Sequence, residues 1–469
     1  MRAALAALAF APASAFAHGF GARHELAVPV WLFIVGAALT VTLTFVAAAA
    51  FAGSRVERYA AARCELSRAF IPGWTIAALK IAGVAALVLV FVAGFIGSSD
   101  PNRNIAPTLV WIVGWVGFSY VAMLFGNLWP VVNPWRTLHE LFARAPSPPR
   151  SWPRSLGSWP AVAALLAFGW LELVFPFRAT PPVLAGLVLA YSVVTWAGMA
   201  RYGAQAWLEH ADPFHRVFEL FSRFAPFAVA PNGRLVVRPY AAGLWPREPE
   251  RLPMAHVAFI LAMLAIVLFD GFQASVHWVA LEDAVHAVDP QLGDGAWLAL
   301  HTAGLLAMWL VFLGLYLAAC RLAKAAANAS LTTLDYARAF ALTLIPIAVG
   351  YHFAHTFTYL IVQGQSLAFL VSDPFGFGWN LFGTAGATVD DAIIATRTAW
   401  YLALGAIVVG HTISVVLAHA AADRLLAGRG RALRALVPMT ALMVLYTVIS
   451  LQILAEPLVR YSGPQETII

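Results

Sequence analysis

Apolar runs of about twenty residues recur along nearly the whole 469-residue chain, each ended by a short polar or proline-bearing break. A helix needs roughly 20 such residues to cross a hydrocarbon core of about 30 Å. The pattern therefore predicts an all-α fold, a polytopic transmembrane helical bundle of ten spans, near 28–52, 74–98, 106–130, 158–177, 182–200, 254–274, 296–320, 339–362, 396–420 and 435–457. The opening MRAALAALAFAPASAFA carries one arginine, a short apolar stretch and a small-x-small ending. It is too short to span and predicts a cleaved signal peptide over 1–17, with 18–469 as a single transmembrane domain.

Two segments break the rhythm. The longest polar connection, 201–253, contains FHRVFELFSRFAPF, in which aromatics alternate with Arg216 and Arg223. It reads either as an interfacial helix lying on the inner leaflet or as a connector with one packed face. The stretch QGQSLAFLVSDPFGFGWNLFGTAG (363–386) is apolar but broken by glycines and a proline. Such backbone is tolerated at membrane depth only when buried in protein or lining a cavity. The expectation is a re-entrant segment or lid, with Gln363, Gln365 and Asp373 as polar contacts; an interfacial loop is the alternative.

Composition removes the soluble classes. Apolar residues make up 61% and charged residues 11% of the chain, against about 45–50% and about 25% in soluble domains. The net charge of +6 does not imply nucleic acid, because its placement follows topology. Arg55, Arg58 and Arg63, then Arg136 and Arg150, Arg216 and Arg223, Arg321 and Lys324, and Arg424 and Arg431 follow the odd-numbered spans. The opposite connections hold only Arg23, Arg103, Arg178, Arg397 and Arg460. Positive-inside bias places both mature termini outside, in agreement with an exported N-terminus. Cys64 and Cys320 fall at predicted cytoplasmic helix ends and are expected as free thiols.

Ionisable groups at membrane depth are costly and are functional candidates by default. Asp270 sits near the outer mouth, His301 about one turn in from that side, and His352 and His355 share a helix face by their three-residue spacing. Glu172 and His411 fall near mid-depth, while His419 belongs with Asp423 near the cytoplasm. Imidazole with carboxylate suits a divalent transition metal, zinc or copper above all. HFAH is not a zinc-protease motif, however, and no Cys-x-x-Cys pair exists. Each group also has a plain reading. His411 and Glu172 serve equally as hydrogen-bonding residues between helices, and His301 as a solvated interfacial residue. His277 and His286 fit an acidic exterior loop with Glu282, Asp283 and Asp289. Cleavage after Ala17 would make His18 the mature N-terminus, where α-amine plus imidazole chelate as a histidine brace suited to copper. His24 or an exterior-loop histidine would complete it. Roughly ten residues at about 3.3–3.6 Å each let it reach the outer mouth.

The segments HGFGARHELAVPVWLF, NPWR (133–136), DGF (270–272), AHTF (354–357), QGQ (363–365), SDPFG (372–376), LFGTA (381–385) and GH (410–411), in order along the mature chain, resemble a bacterial membrane family named fenitrothion hydrolase. The resemblance implies an inner-membrane hydrolase acting on small, apolar organophosphate triesters that partition into the bilayer. It brings no established catalytic residues. Combined with the polar cluster, it implies Asp270 or Glu172 as general base, His301, His352 and His355 as metal ligands joined by His411 and His18, and 363–386 as lid. A transporter of metal ions or small solutes would use the same cluster and the broken segment. A b-type haem protein with axial histidines such as His355 and His411 is the second alternative.

Overall fold

The structure, a computed structural model, describes residues 30–51, 54–66, 72–142, 149–230, 234–245, 252–291 and 293–455. The signal segment, His18 and His24 lie outside them. The chain opens with α1 (Val30–Phe51), α2 (Ser54–Ala61), β1 (Cys64–Leu66) and α3 (Gly73–Ile96). One continuous helix follows: α4 (Ile105–Pro107), a π-helical stretch (Thr108–Gly117) and α5 (Phe118–Leu124). Next come α6 (Trp129–Val132), α7 (Pro134–Phe142), α8 (Trp159–Leu173), α9 (Pro181–Tyr202), α10 (Ala204–His210) and α11 (Pro213–Ser222). After β2 (Phe227–Val229) and β3 (Leu235–Val237) the chain continues as α12 (Met254–Gln273), α13 (Val276–Val288), α14 (Asp294–Ala327) and α15 (Thr333–Ala341). It ends with α16 (Ile345–Gln363), α17 (Ser366–Leu370), α18 (Thr396–Leu425) and α19 (Arg429–Ala455).

The protein is an all-α multi-pass bundle. Among the described residues, eight helices are long and apolar enough to cross a membrane. Shorter apolar helical stretches, Ile34–Ala49 and Trp159–Leu173, stand at the first and fourth expected positions. Large apolar side chains such as Trp74 and Ile81 on α3, or Leu310 and Val311 on α14, face outward, as lipid-facing surfaces require. The strands form one small antiparallel sheet, β1–β3–β2, with Glu65 opposite Val236 and Ala228 opposite Val236 from the other side. Both cysteines are free, Cys64 exposed and Cys320 buried.

α12 is the hub. Ala255 through Ile266 are all buried, so it is apolar all round, the pattern of a helix enclosed by others. It packs against α8, α14 and α16. Beside it, α16 and α18 meet backbone to backbone. A Cβ on Gly350 would lie 2.6 Å from the Ala406 carbonyl oxygen, and one on Gly410 would lie 2.4 Å from that of Pro346. α8 has only 15 residues, about 22 Å at 1.5 Å each. That is shorter than an apolar slab of about 30 Å.

The expectation for FHRVFELFSRFAPF resolves toward a packed face. α11 buries Val217, Phe218, Leu220 and Phe221 against the bundle, with Phe214 6.2 Å from Trp115 and 4.8 Å from Phe168 between ring centroids. Asp212, itself buried, fixes its start by accepting the His215 N–H (2.7 Å) and the Tyr191 hydroxyl (2.6 Å). The arginines are spent on one acid: Glu219 accepts from Arg216 Nη1 (3.1 Å) and Arg223 Nε (2.7 Å). Burial works against the Glu219 charge, yet the two guanidiniums hold its carboxyl below the ordinary value. A lowered acid contributes stability above its ordinary pKa and loses it as pH falls through the lowered value. Glu219→Gln is expected to lower stability by about 1–2 kcal/mol at neutral pH. Thermal melts of both proteins in detergent should converge as pH falls through the lowered Glu219 value, where the wild-type carboxyl also takes up its proton.

Candidate functional site

Glu172 is the penultimate residue of α8, half-buried, and accepts the Trp115 indole N–H at 2.8 Å. Trp115 stands on the π-helical stretch. Widening a helix by one residue per turn re-aims its side chains, and such stretches gather at functional sites. Asp270, three residues before the end of α12, lies within electrostatic reach of Glu172, and so do Arg178 and the Tyr359 hydroxyl of α16. Trp111, one π-turn away, donates to the Arg178 carbonyl at 3.1 Å and ties that turn down. Thus α8, α12, α16 and the π-helical stretch converge on two carboxylates, an arginine and a tyrosine, all half-buried.

Gly271 brings His355 to this group. A Cβ there would lie 2.8 Å from His355 Cε1 and 2.8 Å from Ile453 Cγ2, so the DGF glycine is the gap into which the imidazole fits. His352, one turn below on α16, is 2% exposed. Rings of Trp115, Tyr120 and Phe221 surround it at 5.8, 5.9 and 5.4 Å. Its Nε2 has no hydrogen-bond partner among the described residues. The two histidines stand three residues apart on α16.

The other expected members lie elsewhere. His301 is held between Gln273 Oε1 (2.9 Å from Nδ1) and Glu282 Oε1 (3.0 Å from Nε2), and Trp278 donates to the same Glu282 oxygen at 2.8 Å. It clasps α13 to α14. The acidic stretch expected as an exterior loop is a helix, α13, and its Glu282 is a structural partner. His411 is fully buried, with Nδ1 2.8 Å from the Ile407 carbonyl oxygen and its ring against Tyr351. It belongs to the α16–α18 contact, next to the Gly410 that meets the Pro346 carbonyl. Among the described residues, no three His, Cys, Asp or Glu side chains gather in a way that could hold a metal ion. The expected ligand set of His301, His352, His355 and His411 is thus dispersed: helix rotation, which depth along a span does not fix, sends two of the four elsewhere.

The 363–386 segment uses its polar groups on itself. Asp373 accepts the N–H groups of Phe377 (2.9 Å) and Gly378 (2.7 Å), while Gln365 exchanges hydrogen bonds with the Asp390 backbone. It is fastened to the corner between α3 and α4, where the Phe375 and Pro374 carbonyls accept from Ser98 (2.7 Å) and Ile105 (3.1 Å). Trp115, Arg178 and Tyr359 are the members that the sequence did not announce. A tryptophan in an apolar run reads as membrane packing, and Arg178 as a lone exterior charge.

A scan of protein-family models and searches of curated proteins and solved structures find no match for this chain.

Proposed function

We propose that this protein is an integral membrane hydrolase of neutral, apolar esters, of the phosphotriester class implied by the resemblance to fenitrothion hydrolase. The observation that carries the reading is that Glu172 at the end of α8 and Asp270 near the end of α12, both half-buried, lie within electrostatic reach of each other where the two helices pack. Paired carboxylates in one environment divide acid and base roles between them. Trp115 occupies one oxygen of Glu172 and orients it, so Asp270 is assigned as general base. It takes a proton from water as the water oxygen bonds to phosphorus, and the bond from phosphorus to the aryloxide breaks. A nitrophenolate departs as the anion and needs little protonation. Arg178 offsets the negative charge of the site, and His355 packs against Gly271, the residue next to Asp270. Among the described residues, no three His, Cys, Asp or Glu side chains gather as a metal ligand set.

The same acids would serve a transporter as a cation site, and the two readings part on one assay. Purified protein in detergent, where no gradient exists, is expected to release nitrophenolate from a neutral p-nitrophenyl phosphotriester in repeated turnovers. Uptake into proteoliposomes without any release would favour the transporter. Trp115→Phe is expected to slow hydrolysis about tenfold, the equivalent of one hydrogen bond of about 1.4 kcal/mol. It should also alter the pH–rate profile, which simple loosening of the packing would leave in place.

A further inference from the structure

An apolar groove of about 250 Å³ opens between α12, α14 and α19. Met308, Val311, Phe312 and Leu315 of α14 line one side, and Tyr446, Ile449 and Ile453 of α19 the other. These positions repeat at helical spacing, so the groove follows both helices for about two turns, roughly 10 Å at 1.5 Å per residue. Phe312 and Tyr446 stack in its wall, 4.5 Å between centroids and 8° apart. Its polar lining, His277 and Gln452, lies toward the end where Ile453 borders Gly271, the glycine beside which His355 also packs. One side chain thus borders both the groove and the acid-pair site.

We propose that this groove holds a straight alkyl chain of the substrate, so that the native substrates are bilayer-resident neutral esters with one long alkyl substituent. The inference rests on the hydrolase reading and adds the substrate's shape to it. The volume accommodates roughly eight methylenes, if each fills about the 30 Å³ that a water occupies in the liquid. A chain moving from bilayer to groove exchanges one apolar setting for another and gains little affinity. What the groove supplies is register: a chain laid along α14 and α19 brings the ester to Gly271 and Asp270, and fixed orientation raises turnover. The dependence on chain length should therefore appear mainly in kcat.

The test uses full-length protein in detergent and a series of p-nitrophenyl phosphotriesters in which one alkyl group grows from ethyl to dodecyl. Turnover is expected to rise at least tenfold up to about octyl and then level off. Met308→Trp, which fills the groove, should bring the octyl-to-ethyl ratio close to one while changing the ethyl rate less than twofold. Ile449→Trp gives the same test from the other wall if the first variant does not fold. Independently, an alkyl-diazirine probe should label peptides of α14 and α19 in wild type and not in the filled variant. Labelling confined to other helices, or a length dependence that survives both tryptophans, overturns the proposal. Labelling of the groove with an unchanged length dependence means a bystander lipid and overturns it too. If no ester is cleaved by wild type, the hydrolase reading fails, and groove labelling by the probe still decides whether an alkyl chain binds there.

Discussion

Asp270→Asn and Glu172→Gln are each expected to slow phosphotriester hydrolysis by about 10²–10⁴-fold, the range for losing a positioned general base or its partner. Both changes are close to isosteric. The glutamine oxygen still accepts the Trp115 N–H that now lies 2.8 Å from Glu172, so geometry is retained while proton acceptance is lost. Burying a carboxylate is itself costly and its amide is cheaper to bury, so the melting midpoints of both variants in detergent should stay near that of wild type. A rate loss without a midpoint loss separates chemistry from folding. His355→Ala should cost less, because it removes a neighbour of Gly271 rather than a reacting group.

The second large effect concerns the frame that holds α16 in place. Gly350→Leu and Gly410→Leu are each expected to destabilise the protein by more than about 3 kcal/mol, above the usual cost of overpacking. The atoms in the way are the Ala406 and Pro346 carbonyl oxygens, 2.6 and 2.4 Å from the new Cβ positions. Backbone does not swing aside as a side chain does, so α16 and α18 must part. Small residues at such crossings let membrane helices associate where no hydrophobic drive exists. Gly405→Ala is the control on the same helix. Nothing lies within 4 Å of its Cβ position, and alanine is the better helix former by up to about 1 kcal/mol. Thermal melts in detergent should show both leucine variants far below wild type and the alanine variant at or slightly above it.

How far these features were legible in the sequence depends on what each required. Span placement needed only apolar length, and the bundle follows it from α3 to α19. The role of α11 did not show, because alternating aromatics and arginines suit a membrane surface as well as a bundle interior. What decides it is that Glu219 pairs with both Arg216 and Arg223, leaving the aromatic face free to turn inward. Asp270 and Glu172 were legible as candidates from depth alone. Their meeting was not, since it depends on α8 stopping at Leu173 and on the π-helical turn of Trp115. His301 and His355 carry similar signals and meet different partners. The first meets Gln273 and Glu282, and the second meets Gly271. Rotation about a helix axis sets that outcome, and apolar runs with little amphipathic contrast do not encode it.

The central claim is that Glu172 and Asp270 act as one reacting unit. A double-mutant cycle of turnover in detergent, with wild type, Glu172→Gln, Asp270→Asn and the double variant, tests it most directly. Residues that act together are strongly non-additive, so the double variant is expected to be no slower than the slower single variant. Losses that multiply in the double variant, or single variants that keep wild-type turnover, would contradict it.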